Sequence, residues 1–474
     1  MAAGYIFYNR WLDLFPQIEF RTWMWSGVDL KWYLVSAFTN QGAFSRSSPF
    51  FVDSATKAIC GLSIRCINEP GFWTILLASY LLFWLIVRLT GCIVGAAVAA
   101  TLWVLSLPVL DGFAWQATLG DRMAALFGLA TIHVALSAMR SVGRRATITR
   151  VAVANLLVLV PAIITYNSKE ISWLVLPSLV ILAGALVDGW QPRAIARHAS
   201  VLILTAVYVA FRTIDAFALI AESSSANSLD FGGDPVHNAK LYLAFLTNRM
   251  YLTTIPHLLL LIALAGILFA IFRYRTADPE IKSQIRIMGW AVLSLLGGVV
   301  ICLFTPYPGP YLLLLPSPFL WIALVALWRS VQVSHGIVRS VVGLGVTAVT
   351  TWVMLLGLSG SYTLYGDTLS WSSHFRRSLP VIAHNVPIGA PVDFVIGEAP
   401  FLAYRFAGTD GQRYVDQFIY HRTGLLQVAE ARMNNVTTLA SSFSGYSIVL
   451  GNELAVTEIL HGSRVLYRAP ASPP

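Results

Sequence analysis

The chain has 474 residues, is 57% hydrophobic and only 12% charged, and has a mean hydropathy of +0.68. A soluble domain carries about 25% charged residues, so a water-soluble globular fold is excluded and a polytopic membrane protein is expected. The net charge of +9 sits mainly in short loops between apolar stretches, so it reports topology and not a nucleic-acid partner.

The first 70 residues contain no convincing span and no secretory signal, since no basic segment precedes an apolar core and a small-residue cleavage site. Their stretch "YNRWLDLFPQIEFRTWMWSGVDLKWYLV" is rich in Trp and charge, which suits short amphipathic helices at the membrane interface. Cys60 and Cys66 share this segment, close enough in sequence for a disulfide. Ten apolar stretches follow, at 71–88, 93–109, 122–139, 151–166, 171–187, 199–220, 252–272, 287–304, 311–328 and 338–358. Cys92 and Cys302 fall in or beside these stretches as apolar fillers. Residues 359–474 form a polar tail with eight Arg and eight acids. Its runs "PVDFVIG", "YSIVLG" and "RVLYRA" read as strands, with a helical pattern around 418–433 between them, so a small α/β domain is expected. The expected domains are therefore an external segment at 1–70, a helical membrane domain at 71–358 and an extracytoplasmic domain at 359–474.

Basic residues orient the spans. One set of alternate loops holds Arg88, Arg140, Arg144, Arg145, Arg150, Arg193, Arg197, Arg273, Arg275, Lys282, Arg286, Arg329 and Arg339 against only Asp188, Asp278 and Glu280. That side is expected to be cytoplasmic. The N-terminal segment, the Lys169-Glu170 turn and the tail then face a periplasm or lumen. An external N-terminus without a signal predicts a further span upstream of Met1.

Two outer turns between spans carry charge close to the membrane surface. In "LPVLDGFAWQATLGDRMAALF" a span ends near Pro108, and Asp111, Asp121 and Arg122 follow before the next span begins. The plain reading is a solvated loop with a local Asp–Arg pair. The functional reading is a carboxylate base facing an external cavity, with Arg for an anionic ligand. In "AIITYNSKEISWLVLPSLVIL" Lys169 offers a point charge for a phosphate, and Glu170 would orient it. Arg212 lies inside a span, where a charge is a functional candidate by default. No P-loop, metal-ligand cluster or nucleophile elbow is present in the sequence.

The segment "LPVLDGFAWQATLGDRMAALFGL" resembles one of the integral-membrane GT-C glycosyltransferases, which reads His-Pro-Val-His-x-Glu-x-Val-Ala, then Gly-Arg-x-Asp-Leu-Leu, then an apolar run. The nearest resemblance is to the transmembrane and tetratricopeptide-repeat O-mannosyltransferases and their bacterial relatives. "YNSKEISWLVLPSLVIL" looks like that family's Lys-Glu motif, "FSRSSPFFVDSATKAICGLSIRCINEPGFW" is similar to its Tyr-Arg-Pro-Leu loop, and "GPYLLLLPSPFLWIAL" looks like its late Arg-Tyr-Leu-Tyr-Leu-Pro-Ser segment. The four occur in the family's order across most of residues 1–330. The chain departs from the pattern in several places. Leu110 stands where the His after Pro-Val is expected, the acid sits one position early at Asp111, and the late Arg and the repeats are absent.

The resemblance implies a GT-C-like bundle of ten spans, with the missing N-terminal helix as an eleventh. It implies transfer of a sugar from a polyprenyl-phosphate donor to a lipid, glycan or protein acceptor. Asp13, or Asp29 nearer Arg46, becomes the candidate base, with Asp111 orienting the acceptor or base. Lys169, Glu170, Arg122, Arg46, Arg249 and Arg212 become candidates around the donor phosphate. The resemblance implies no definite cofactor; external acids would accept a divalent metal, although no spacing demands one. The expected location is a multi-pass bacterial inner-membrane protein in preference to the endoplasmic reticulum. The rival classes are a transporter or channel, with charge buried mid-membrane and paired broken helices, a polysaccharide polymerase or ligase using the same lipid carriers, and an inactive relative.

Overall fold

The computed structural model describes residues 47–60, 64–114, 118–142, 147–169, 171–172, 175–180, 201–207, 210, 234–247, 278–303, 309–333, 377, 381–382, 384–387, 391–396, 413–420, 426–434, 445–450 and 455–470. The chain divides into two compact units, one built chiefly from Glu69–Ser361 with Tyr33–Val52, the other from Tyr362–Pro474 with Asp53–Asn68.

Nine α-helices are described: α1 (Ser47–Cys60), α2 (Ile64–Thr90), α3 (Ile93–Val104), α4 (Leu107–Ala114), α5 (Leu119–Val142), α6 (Ile148–Tyr166), α7 (Pro235–Leu246), α8 (Pro279–Cys302) and α9 (Ser317–Val333). Their starts follow from local chemistry. Thr147 caps α6 by accepting the Arg150 N–H, and Asp234 caps α7 by accepting the Val236 and His237 N–H groups, with Pro235 directly after it. Four helices hold stretches long and apolar enough to cross a membrane: Asn68–Thr90, Leu119–Ala138, Ile148–Tyr166 and Pro279–Val300. A fifth is reached if α3 and α4 together count as one bent span. The expected spans 252–272 and 338–358 lie outside the described residues, as do most of 171–187 and 199–220.

Two of the expected spans take another form. The stretch 93–109 does not run through as one helix; α3 and α4 meet at a 46° bend. Pro108 has no N–H to give the Val104 carbonyl, and the Ser106 hydroxyl turns back onto the Trp103 carbonyl at 2.6 Å. The expected external turn after Pro108 is thereby α4, a buried helix that carries Asp111. The stretch 311–328 begins as a 3₁₀ turn at Pro310–Leu313, and the α-helix starts only at Ser317, between Pro316 and Pro318.

Apolar attraction between helices is weak where lipid replaces water, so close packing and buried hydrogen bonds decide which helices meet. α5 and α6 form a packed hairpin, α8 packs along α9, α3 lies on α9, and α4 rests on the 3₁₀ turn and α7. A buried Trp103 Nε1–H donates to Ser317 Oγ at 2.9 Å, joining α3 to α9. Arg88, at the end of α2, donates to the His133 carbonyl at 3.1 Å and to Ser137 Oγ at 2.9 Å on α5. Arg329, late in α9, pairs with Glu280 in the first turn of α8 at 3.1 Å. The two arginine contacts lie at the helix ends that bear the basic loops, and the Trp103–Ser317 bond lies at the other end. The face of α6 carrying Val153, Leu156, Leu157, Val160 and Ile163 is exposed, as a lipid-facing surface would be.

In the second unit Cys60 and Cys66 are disulfide-bonded, with Cα atoms 5.6 Å apart. The tail is a six-stranded sheet of β1 (Pro391–Ile396), β2 (Arg413–Tyr420), β3 (Leu426–Asn434), β4 (Tyr446–Leu450), β5 (Val456–His461) and β6 (Arg464–Arg468), in the order β3-β2-β1-β4-β5-β6. Only the β1–β4 pair is parallel. Gly462 turns the β5–β6 hairpin at a φ of 59°, a conformation that suits glycine. Ile448 and Ile459, paired across β4 and β5, are fully buried. The expected helix around 418–433 is corrected: among the described residues, 418–420 lie in β2 and 426–433 in β3. Leu, Gln, Ala, Glu and Met favour helix in isolation, but pairing with a neighbouring strand overrides that preference.

Candidate functional site

Opposite the Arg88 and Arg329 contacts, the helix ends of the first unit gather four buried ionisable side chains: Asp111 (1% exposed), Asp121 (3%), Arg122 (1%) and Lys169 (9%). Two are anionic and two cationic, so the cluster is formally neutral. Buried charge is tolerated only when it is matched in this way.

Backbone packing brings them together. The last turn of α6 ends at Tyr166, and the Lys169 N–H still reaches back to the Thr165 carbonyl at 3.4 Å. The Ser48 N–H, at the start of α1, donates to the Asn167 carbonyl at 3.2 Å. At the start of α5, Gly120 lies so close that a Cβ there would come within 2.5 Å of the Ser168 carbonyl oxygen. That approach allows the next residue on each chain to pair: Lys169 Nζ stands 3.3 Å from Asp121 Oδ2. At an effective dielectric of about 20, two unit charges at such a separation attract by about 5 kcal/mol, which offsets desolvation of comparable size.

Arg122, one residue further on, turns to α2 and α4. Its guanidinium lies against Gly71, where any Cβ would collide with it, and its Cζ is 5.9 Å from the centre of the Phe113 ring. Phe113 packs edge-on against Phe72 of α2. Asp111 reaches the other way. Its Oδ2 accepts the backbone N–H of Tyr311, in the 3₁₀ turn, at 3.0 Å. The Tyr311 ring is in turn 5.7 Å from Lys169 Nζ. The chain of contacts therefore runs Asp111, Tyr311, Lys169, Asp121, and it draws on α4, the 3₁₀ turn, the end of α6 and the start of α5.

Hydroxyl groups beside the cluster are mostly satisfied locally. Thr165 and Ser168 donate to the Pro161 and Ile164 carbonyls at 2.7 and 2.6 Å. Ser172 differs: it is fully buried, and its hydroxyl has no hydrogen-bond partner among the described residues. Cys302, at the end of α8, is buried nearby, its thiol directed at the Gly298 carbonyl at 3.4 Å. Among the described residues no three His, Cys, Asp or Glu side chains gather as metal ligands.

Of the residues singled out from the sequence, the structure pairs Lys169 with Asp121 and links Lys169 to Asp111 through Tyr311, while Arg122, next to Asp121, lies against Gly71 and Phe113. Asp13, Asp29, Arg46, Glu170, Arg212 and Arg249 lie outside the described residues. The solvated turn with a local Asp–Arg pair is corrected, because Asp111, Asp121 and Arg122 are all buried. Sequence reading passed over Tyr311 and Gly71. Tyr311 meets Asp111 across 200 residues, and no local pattern signals such a contact. Comparison with known protein families, curated proteins and solved structures finds no match.

Proposed function

We propose that the chain transfers a sugar from a polyprenyl-phosphate donor to an acceptor outside the cytoplasm, as the resemblance of its motifs to GT-C glycosyltransferases implies. The observation that supports this most is the buried Lys169–Asp121 pair, linked through Tyr311 to Asp111, at the helix ends opposite the basic loops. A lipid-linked donor keeps its polyprenyl chain in the bilayer and its phosphate at the surface, so the cation it needs belongs at the end of a span. By the positive-inside rule that end is extracytoplasmic in this reading, which takes the membrane to be a bacterial inner membrane. The Cys60–Cys66 disulfide suits an oxidising compartment.

The chemistry is a single displacement. The acceptor hydroxyl oxygen bonds to the anomeric carbon, its proton passes to a carboxylate, and the bond from that carbon to the phosphate oxygen breaks. Polyprenyl phosphate leaves with the electron pair. Asp13 or Asp29 is the base in this reading. A phosphate leaving group needs no second acid of the glycosidase kind. Lys169 meets the charge that develops on the phosphate, while Arg122, held between Gly71 and Phe113, braces α2 and α4 around it.

The test is transfer from radiolabelled polyprenyl-phosphate sugars in membranes containing the full chain, across several sugars. Asp13→Ala is expected to abolish transfer, with Asp29→Ala as the parallel arm, and Asp111→Ala to remove most of it at low donor concentration. Absence of transfer from every donor, or full activity in all three variants, sinks the assignment.

A further inference from the structure

The sequence places Asp111 as an aid to the acceptor or base, but its geometry gives it different work. The carboxylate is 1% exposed, and Oδ2 is engaged by a backbone N–H of the 3₁₀ turn. That turn is held at further points. Leu314, just beyond it, closes on Gly112 of α4, and Pro316 closes on Gly298 of α8, where a Cβ would come within 2.6 Å of the proline Cγ. Between these anchors the Tyr311 ring faces the Lys169 ammonium at 5.7 Å.

A lysine side chain has a flexible four-carbon stem and loses rotamer entropy when fixed. Asp121 gives Lys169 one fixed neighbour at 3.3 Å, and the Tyr311 ring gives it a second. Attraction between the cation and a desolvated ring offsets that loss and fixes the rotamer.

We propose that Asp111 and Tyr311 form a latch: the Asp111 carboxylate pins the Tyr311 backbone, and the Tyr311 ring holds the Lys169 ammonium where a donor phosphate meets it. Both are positioning residues acting through Lys169. The role rests on the glycosyl-transfer reading for its ligand, but the latch itself has a signature that does not.

The two roles for Asp111 separate on one substitution. Asp111→Asn removes the charge but keeps an sp² oxygen that accepts the Tyr311 N–H. A residue that assists proton transfer fails in Asn as it does in Ala, whereas a latch survives Asn and fails in Ala. With radiolabelled polyprenyl-phosphate sugar and membranes containing the full chain, Asp111→Asn and Tyr311→Phe are expected to keep KM for the donor within about threefold. Asp111→Ala and Tyr311→Leu are expected to raise it about tenfold, with kcat little changed. Asp111→Asn as inactive as Asp111→Ala, or an unchanged donor KM in Tyr311→Leu, overturns the proposal.

A second measurement needs no activity. In purified full-length protein, unfolding temperatures of Lys169→Met, Tyr311→Leu and the double variant form a cycle. A latch predicts that the double variant loses less than the sum of the two single losses. Additive losses overturn the latch even where transfer is found. Coupling in a chain that transfers no sugar keeps the Tyr311–Lys169 contact but overturns its role toward a donor phosphate, together with the glycosyl-transfer reading.

Discussion

Removing one member of the Lys169–Asp121 pair should harm the protein more than removing both. Lys169→Met keeps the length of the side chain but deletes the ammonium 3.3 Å from Asp121 Oδ2, leaving a carboxylate that is only 3% exposed. Breaking a buried pair from one side costs about 3–5 kcal/mol, whereas replacing both partners with neutral groups of similar shape is close to neutral. Asp121→Asn, which strands the ammonium instead, should fall at the lower end, since Lys169 keeps 9% exposure and the Tyr311 ring beside it. At about 1–2 °C per kcal/mol for a unit of this size, each single variant should lower the apparent unfolding temperature by about 3–10 °C, and the double variant should recover most of that loss. The chain has 15 tryptophans, so intrinsic fluorescence during heating in detergent reads the transition directly. One scan rate is needed throughout, because unfolding of such a protein is governed by rate. A double variant no more stable than either single variant would show that the two charges do not balance each other. The same double variant carries a functional corollary: restored stability without sugar transfer separates the role of Lys169 toward phosphate from its role in the fold.

Two further outcomes follow from close packing and from the disulfide. Gly71→Ala drives a methyl group into the Arg122 guanidinium, and Gly120→Ala drives one against the Ser168 carbonyl. Each should cost about 1–3 kcal/mol by overpacking, with Gly120→Ala the worse because a backbone oxygen has less freedom to withdraw; unfolding temperatures in detergent rank them. Under denaturing conditions without reductant, a maleimide reagent should label two of the four cysteines, Cys92 and Cys302, and all four after reduction. Labelling of all four before reduction would remove the disulfide from the native protein.

Part of the helical unit was legible: the four helices long and apolar enough to cross a membrane sit where hydropathy marks them. Proline chemistry accounts for what hydropathy missed. Pro108 and Pro316 interrupt stretches that are apolar enough to read as continuous helices, and hydropathy does not register a missing N–H. In the tail, the β-branched and aromatic runs of β1, β4 and β6 declared themselves, whereas "LQVAEARMN" is written in helix-forming residues and becomes β3 only because β2 lies beside it. The cluster was half legible. Asp111, Arg122 and Lys169 stood out as charges at span ends. Tyr311 carries no charge, and it meets Asp111 through its backbone N–H rather than its side chain, so no side-chain pattern marks it.

The bend between α3 and α4 separates two properties that hydropathy treats as one. Val109 and Leu110 of α4 are essentially inaccessible, as is Phe113 at 5%, while Leu156, Leu157 and Val160 of α6 are more than half exposed. Both helices are equally greasy to a sequence scan, but only α6 presents a face fit for lipid. On that face any apolar side chain serves, and exchanges of Leu for Phe or Met should pass unnoticed. In α4 volume is what counts, because each side chain is fitted against the 3₁₀ turn, α5 or α7. A broken helix is stable at membrane depth only when protein covers it, so α4 cannot drift into the bilayer without losing the Asp111 contact. The tolerance of these two helices to mutation should therefore run in opposite directions despite their similar composition.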